Sequence, residues 1–277
     1  MRIDSHQHFW QFEPVRDAWI TPNMSVIRRD FLPDDLAPLL KENQIDGCIA
    51  VQADQSLEET RFLLDLANQH QFIKGVVGWI DFRAKDISEQ LSGHERDTKL
   101  VGFRHILQSE RDNNFMLGTD FLTGIAALKA FDFTYDILII PKHLATARKL
   151  VRKFPNQPFV LDHIAKPYIQ KGLVRQWERD IRSLAMHDNV WCKLSGIITE
   201  ADWTIWTHEQ IEPYLEIVLE AFGANRLMFG SDWPVCLLAG SYSRVVSLIK
   251  GFVSTLSGSE QDCIWGLNAK RFYGLSA

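Results

Sequence analysis

Residues 46–81 read DGCIAVQADQSLEETRFLLDLANQHQFIKGVVGWID. The two ends, 46–54 and 73–81, are apolar runs of strand type, while 57–70 between them spaces its apolar residues three and four apart, the period of an amphipathic helix. The unit is strand, helix, strand. Strands joined through a helix lie parallel, and apolar runs with little alternation belong to strands covered on both faces.

The same unit recurs in both directions along the chain. Further apolar runs are RIDSHQHF at 2–9, LVGFRHIL at 100–107, TYDILII at 134–140, PFVLDHIAKP at 158–167, NVWCKLSG at 189–196 and RLMFGSDWP at 226–234, making eight candidate strands in all. HLATARKLVRKF and HEQIEPYLEIVLEAF repeat the helical pattern. Eight βα units predict an α/β chain closed into a (β/α)8 TIM barrel, and no GxGxxG follows any strand to support an open doubly wound sheet. At 277 residues the chain has the length of one such barrel, so a single domain over 1–277 is expected.

Composition narrows the function classes. With 46% hydrophobic and 23% charged residues the chain resembles an ordinary soluble protein, and its net charge of -5 leaves no basic stripe for nucleic acid or an anionic membrane. The cysteines at 48, 192, 236 and 263 form no CxxC pair and are expected to be reduced. No basic segment followed by an apolar one opens the chain and no apolar run reaches membrane-spanning length, so cytoplasmic residence is expected. Barrels of this size often self-associate, which makes a homo-oligomer an open expectation.

A barrel carries its chemistry at the C-terminal ends of its strands, and these ends are rich in polar residues. Strand 1 offers His6 and His8, strand 2 Gln52 and Asp54, strand 3 Asp81, strand 4 Arg104 and His105, strand 6 Asp162 and His163, strand 7 Lys193 and Ser195, and strand 8 Asp232. Residues i and i+2 of a strand face one way, so His6 and His8 project two imidazoles into one space, a metal-ligand geometry. Asp4 shares that face if the strand is regular, as a supporting partner or ion-pair member. Gln52 and Asp54 read as mainly structural. Asp232 stands in FGSDWPV, a poor helix start, which favours a carboxylate that binds a cation or takes a proton from water over a simple helix cap. Two long irregular stretches, 10–33 and 196–208, follow strand ends and carry several tryptophans. They are candidate pocket walls, with packing on the barrel top or in a subunit interface as the alternative.

The set DSHQHFW, VGFRHILQ, LDHIAKP, KLSG and FGSDWPV resembles the amidohydrolase superfamily, within it the branch of sugar lactonases similar to L-fuconolactonase and L-rhamnonolactonase. The resemblance spans nearly the whole chain and implies a distorted barrel. It implies one divalent cation, zinc above all, on His6, His8 and Asp232, or a site that works without metal; strand 5 brings no histidine that a two-metal centre would use. It also implies catalytic roles for Asp232, His163 and His105, with Arg104, Lys193, Ser195, Trp233 and Gln52 as substrate contacts. The expected reaction is hydrolysis of a small-molecule sugar-acid lactone: water gives a proton to Asp232 and attacks the carbonyl, and the oxyanion is met by a cation, Arg104, or protonated His105 or His163.

Rival readings have distinct signatures. Relatives in the superfamily decarboxylate aromatic acids, and a pyrone or muconolactone hydrolase would need further arginines at the pocket, for which Arg28, Arg29 and Arg83 are available. A sugar-acid binder without turnover would be expected to lack Asp232 or a strand-1 histidine. Ser195 lies in KLSG, not in a GxSxG elbow, so a covalent serine mechanism has little support. Near the chain end, GLNAKRFYGLSA reads as a helix with Asn268 contacting the barrel and Phe272 and Tyr273 packed inward.

Overall fold

Strands β1 (Ile3–Gln7), β2 (Gly47–Val51), β3 (Ile73–Gly78), β4 (Leu100–His105), β5 (Thr134–Ile137), β6 (Phe159–Leu161), β7 (Val190–Leu194) and β8 (Leu227–Phe229) pair in sequence order, all parallel, in a computed structural model that describes residues 1–276. Each predicted strand is present, trimmed to its apolar centre. A helix follows each one: α1 (Pro33–Glu42), α2 (Leu57–Gln69), α3 (Ile87–Ser92), α4 (Thr119–Leu128), α5 (Leu144–Lys153), α6 (Arg175–Ala185), α7 (His208–Phe222) and α8 (Tyr242–Val253). The (β/α)8 barrel expected from the repeat is the fold found.

Side chains along each strand alternate between two cores. Cys48, Ala50, Phe103, Phe159, Leu161, Cys192 and Phe229 face the helices and belong to the large outer core. Ile3, Ile49, Val51, Val77, Val160 and Met228 fill the barrel interior at its N-terminal end. The cysteines are free and buried. Removing these apolar side chains from water stabilises the fold by roughly 1.5–3 kcal/mol for each large one.

The interior core is closed from below by the end of the chain. Helix Asn268–Phe272 follows a distorted turn, Asn268 Nδ2 donates to the carbonyls of Ala224 and Leu227 at 2.7 and 2.6 Å, and Phe272, Tyr273 and Leu275 join the interior cluster. This agrees with the reading of that segment.

Closure between β1 and β8 is sparse. The His8 N–H donates to Trp233 O at 2.7 Å and the Asp232 N–H to His6 O at 2.8 Å, while lower down Ser5 Oγ donates to Phe229 O at 2.6 Å. Strand β1 is irregular, with its register to β2 shifting between Asp4 and Gln7. Ile3 and His6 therefore both face inward. Asp4, expected on the histidine face, instead turns toward the helical layer and accepts from Tyr242 Oη on α8 at 3.1 Å and from the Ser231 N–H at 2.8 Å. Among the described residues no helix is long and apolar enough to cross a membrane.

Candidate active site

Above the apolar floor of the barrel lies a layer of buried ions. Lys193 Nζ sits 2.5 Å from Asp136 Oδ2, 3.0 Å from Asp162 Oδ1 and 3.1 Å from His6 Nδ1. Arg104 Nη1 donates to Asp162 Oδ2 at 3.0 Å, and Arg104 Nη2 donates to Gln52 O. Two cations thus face two carboxylates, which is what allows such groups to be buried together. Burial alone would raise the Asp162 pKa, but Lys193, His6 and Arg104 overcome it and hold the carboxyl well below the usual range. Asp136, also bonded by Tyr273 Oη at 2.8 Å, is pushed up to about 6, chiefly by burial.

The imidazoles and Asp232 stand on this layer. His6 is fully buried, and burial, with the charge of Lys193, lowers its pKa well below the ordinary value despite Asp162 beside it. His8 Nδ1 faces Val51 O at 2.7 Å, a contact that places the proton there and turns Nε2 toward Asp232 Oδ1 at 3.4 Å. His6 Nε2 and His163 Nε2 each lie 3.9 Å from the same oxygen. Burial opposes ionisation of Asp232, but His163, His8 and Lys166 outweigh it and its pKa ends below the usual aspartate value. Burial keeps His163 neutral.

Local backbone conformation sets these positions. His163, Ile164, Ala165 and Lys166 all have positive φ, from 47° to 61°, a left-handed turn without a glycine in it. Such conformations cost L-residues roughly 1–2 kcal/mol each and persist where the surroundings over-determine them. Ser195 Oγ bonds His163 Nδ1 at 2.9 Å, and Gly196 follows because a Cβ there would stand 2.5 Å from that nitrogen. Gly230 has a similar reason: its Cβ would stand 2.7 Å from that of His6. Asp232 itself has φ of 57°.

His6, His8 and Asp232 offer one ligand atom each, all within 4.8 Å of one another. With its proton on Nδ1, facing Asp162, His6 presents the Nε2 lone pair, which now faces Arg104 Nη1 at 3.3 Å. Two nitrogen donors and a carboxylate are the chemistry of a divalent-cation site with an open position, and this set fits one.

A pocket of about 230 Å³ opens over these groups, lined by His8, Trp19, Ala53, Arg104, Ile106, Gln108, Ser109, Leu138, His163, Lys166, Asp232 and Val235. Of the predicted residues, His6, His8, Arg104, His163 and Asp232 come together around its base. Gln52 lies beneath, its Nε2 donating to Arg104 O at 3.1 Å. Lys193 and Ser195 are placed as supports of His6 and His163, not as pocket lining.

Two residues lie elsewhere. His105 follows Arg104 on β4 and so faces the opposite way: its Nε2 meets Glu110 Oε1 at 2.8 Å, Trp79 Nε1 lies 3.4 Å from its Nδ1, and its ring stacks on Phe115. Trp233 is buried against Phe9 and Phe31 on the outer side of β8, where the chain turns after Asp232. Of the two loops read as walls, the first supplies Trp19 to the pocket. In the second, Trp206 is buried on Ala239 O and Trp203 lines a separate groove with Tyr168 and Asp202. Arg28 bonds Ile20 O, Arg29 pairs with Asp35 and Arg83 with Asp81, so none of these arginines lines the pocket.

Lys166, Gln108 and Ser109 line the pocket although the sequence singled out none of them; the first two stood inside quoted motifs without a role. Gln108 Oε1 is buried without a hydrogen-bond partner among the described residues, an acceptor free for a hydroxyl.

The protein-family profile described as Amidohydrolase matches residues 3–275. A protein named L-fucono-1,5-lactonase from Burkholderia multivorans is 43% identical, the alignment covering 99% of this chain and 96% of the relative. Another so named, from Burkholderia ambifaria, is 37% identical over 98% and 95%. A crystal structure of an amidohydrolase from Burkholderia multivorans with bound zinc superposes with a TM-score of 0.97 at 43% identity over 100% of both chains.

Proposed function

Because the chain belongs to the amidohydrolase family, we propose that its pocket hydrolyses a sugar-acid lactone of the L-fuconolactone type to the open-chain hydroxy acid. The observation that carries this reading is Asp232: a carboxylate held ionised beside neutral imidazoles at the base of a pocket with polar walls. Homology to the two named lactonases supports the substrate class, and the free acceptor of Gln108 suits a polyhydroxylated ring.

In this reading Asp232 accepts a proton from water as the water oxygen bonds to the lactone carbonyl carbon, forming a tetrahedral oxyanion. Collapse breaks the bond to the ring oxygen. That oxygen takes the proton back from protonated Asp232, directly or relayed through His163 beside it, leaving a carboxylate and a free hydroxyl. His163 is kept at hand by Ser195, and Arg104 is aimed by Gln52 and Asp162. His6, His8 and Asp232 would hold a divalent cation, which when bound polarises the carbonyl and acidifies bound water. Among the described residues Arg104 alone of the arginines lines the pocket, short of what a dicarboxylate substrate needs, which disfavours the aromatic-lactone alternative.

The test is proton release in weak buffer from a panel of sugar-acid lactones, with metal-stripped and zinc-loaded enzyme. L-Fucono-lactone is expected to open rapidly, and Asp232→Asn to lose at least about 10³-fold in kcat. Failure of the wild type, stripped or loaded, to open any lactone would remove this reading.

A further inference from the structure

Three cations stand in or beneath the pocket, and two of them are already engaged. Lys193 is wholly buried, its ammonium paired with Asp136 and Asp162 and 3.1 Å from His6 Nδ1. Arg104 places Nη1 on Asp162 and Nη2 on Gln52. Lys166 differs. Its ammonium has no hydrogen bond among the described residues, and its nearest carboxylate, Glu200 Oε1, stands 3.9 Å away.

The left-handed turn explains why this amine is there. Residues His163 and Lys166 are its first and last members, and the Lys166 N–H closes it on His163 O at 2.7 Å. Ile164 and Ala165 between them are buried in the outer core, while His163 and Lys166 both line the pocket. Pro167, without an N–H, cannot extend the turn. The charge of Lys166 acts on both His163 and Asp232. Of the histidines, His163 is held through Nδ1 by Ser195 with Nε2 toward Asp232, and His105 faces the helices.

We propose that Lys166 is a catalytic residue of the lactonase reaction, its ammonium donating to the carbonyl oxygen of the lactone as that oxygen becomes the tetrahedral oxyanion. The assignment rests on the lactonase reading. Glu200 holds the side chain at the pocket wall until substrate arrives, and its loose 3.9 Å contact lets the ammonium move to the stronger charge. The proton stays on nitrogen throughout, so the step adds no bond and consumes no further reactant.

The experiment compares wild type, Lys166→Met and Lys166→Cys on L-fucono-lactone, the last before and after alkylation with 2-bromoethylamine, which rebuilds an ammonium of near-lysine length. The native cysteines are buried, which favours selective modification. Loss of one oxyanion donor commonly costs about 10²- to 10³-fold in kcat, so both variants are expected to fall by that factor with unchanged melting temperatures. Alkylated Lys166→Cys should recover at least about tenfold, and the neutral adduct from iodoacetamide should not. A structural role would give no such dependence on charge. A folded Lys166→Met enzyme with kcat within about threefold of wild type would overturn the assignment alone. A wild type that opens no lactone would overturn the lactonase reading and this assignment with it.

Discussion

Glu59 is a buried acid without an ion partner within 4 Å among the described residues; its Oε1 accepts from the Ala53 N–H at 3.0 Å, just under the pocket wall. Burial pushes its pKa from 4.5 up to about 7. In the window between these values the unfolded chain releases the proton first, so stability falls as pH rises and the full penalty is felt above pH 7. Glu59→Gln keeps an acceptor for Ala53 and removes the charge. It is expected to raise unfolding free energy by about 2–3 kcal/mol at pH 8 and to change it little at pH 4, as measured by urea titration. At this same scale, parity along a strand decides function: Arg104 enters the site and His105, one residue on, enters the aromatic core of Phe115 and Phe121. The sequence placed both at a strand end. Which of the pair faces inward depends on register, and the resemblance favoured both.

The elements follow local rules with two informative exceptions. Helix α1 ends in a Schellman turn, with the Ile45 N–H on Leu40 O at 2.9 Å and the Gln44 N–H on Lys41 O at 3.2 Å. Gln44 occupies the left-handed position at φ of 58°, where glycine is the usual residue, and its side chain is exposed. Gln44→Gly should therefore stabilise the protein by about 1 kcal/mol, read as a rise in melting temperature of about 2 °C. The second exception is the turn at His163–Lys166. The strands were legible because a buried parallel strand is an unbroken apolar run, and α2, α5 and α7 because their apolar spacing holds over several turns. Nothing in DHIAKP announces four positive φ values, since no glycine marks them, and so Lys166 was missed. The bulge that turns Asp4 away from His6 was hidden for the same reason: alternation in sequence assumes a regular strand.

At the scale of the molecule the barrel is filled in layers: apolar side chains with the chain end below, paired ions in the middle, the pocket above. The middle layer ties the pocket to its foundation, since Tyr273 reaches Asp136, Asp136 holds Lys193, and Lys193 touches His6. Seven strand pairs are joined by parallel ladders, three of them with a register shift, whereas β1 and β8 meet through a few bonds, two of them from the amides of His8 and Asp232. Those bonds belong to the residues whose side chains form the candidate cation site. A zinc ion on His6, His8 and Asp232 would then fasten the last gap in the cylinder like a rivet through overlapping plates. Amide hydrogen exchange at His8 and Asp232 should slow at least about tenfold on zinc loading, with the β4 and β5 amides changing far less. Uniform slowing around the ring would show that the seam gains nothing special. The weakest joint of the wall and the place where a ligand grips hardest would be the same place, so that loading the site also sets how freely the barrel breathes.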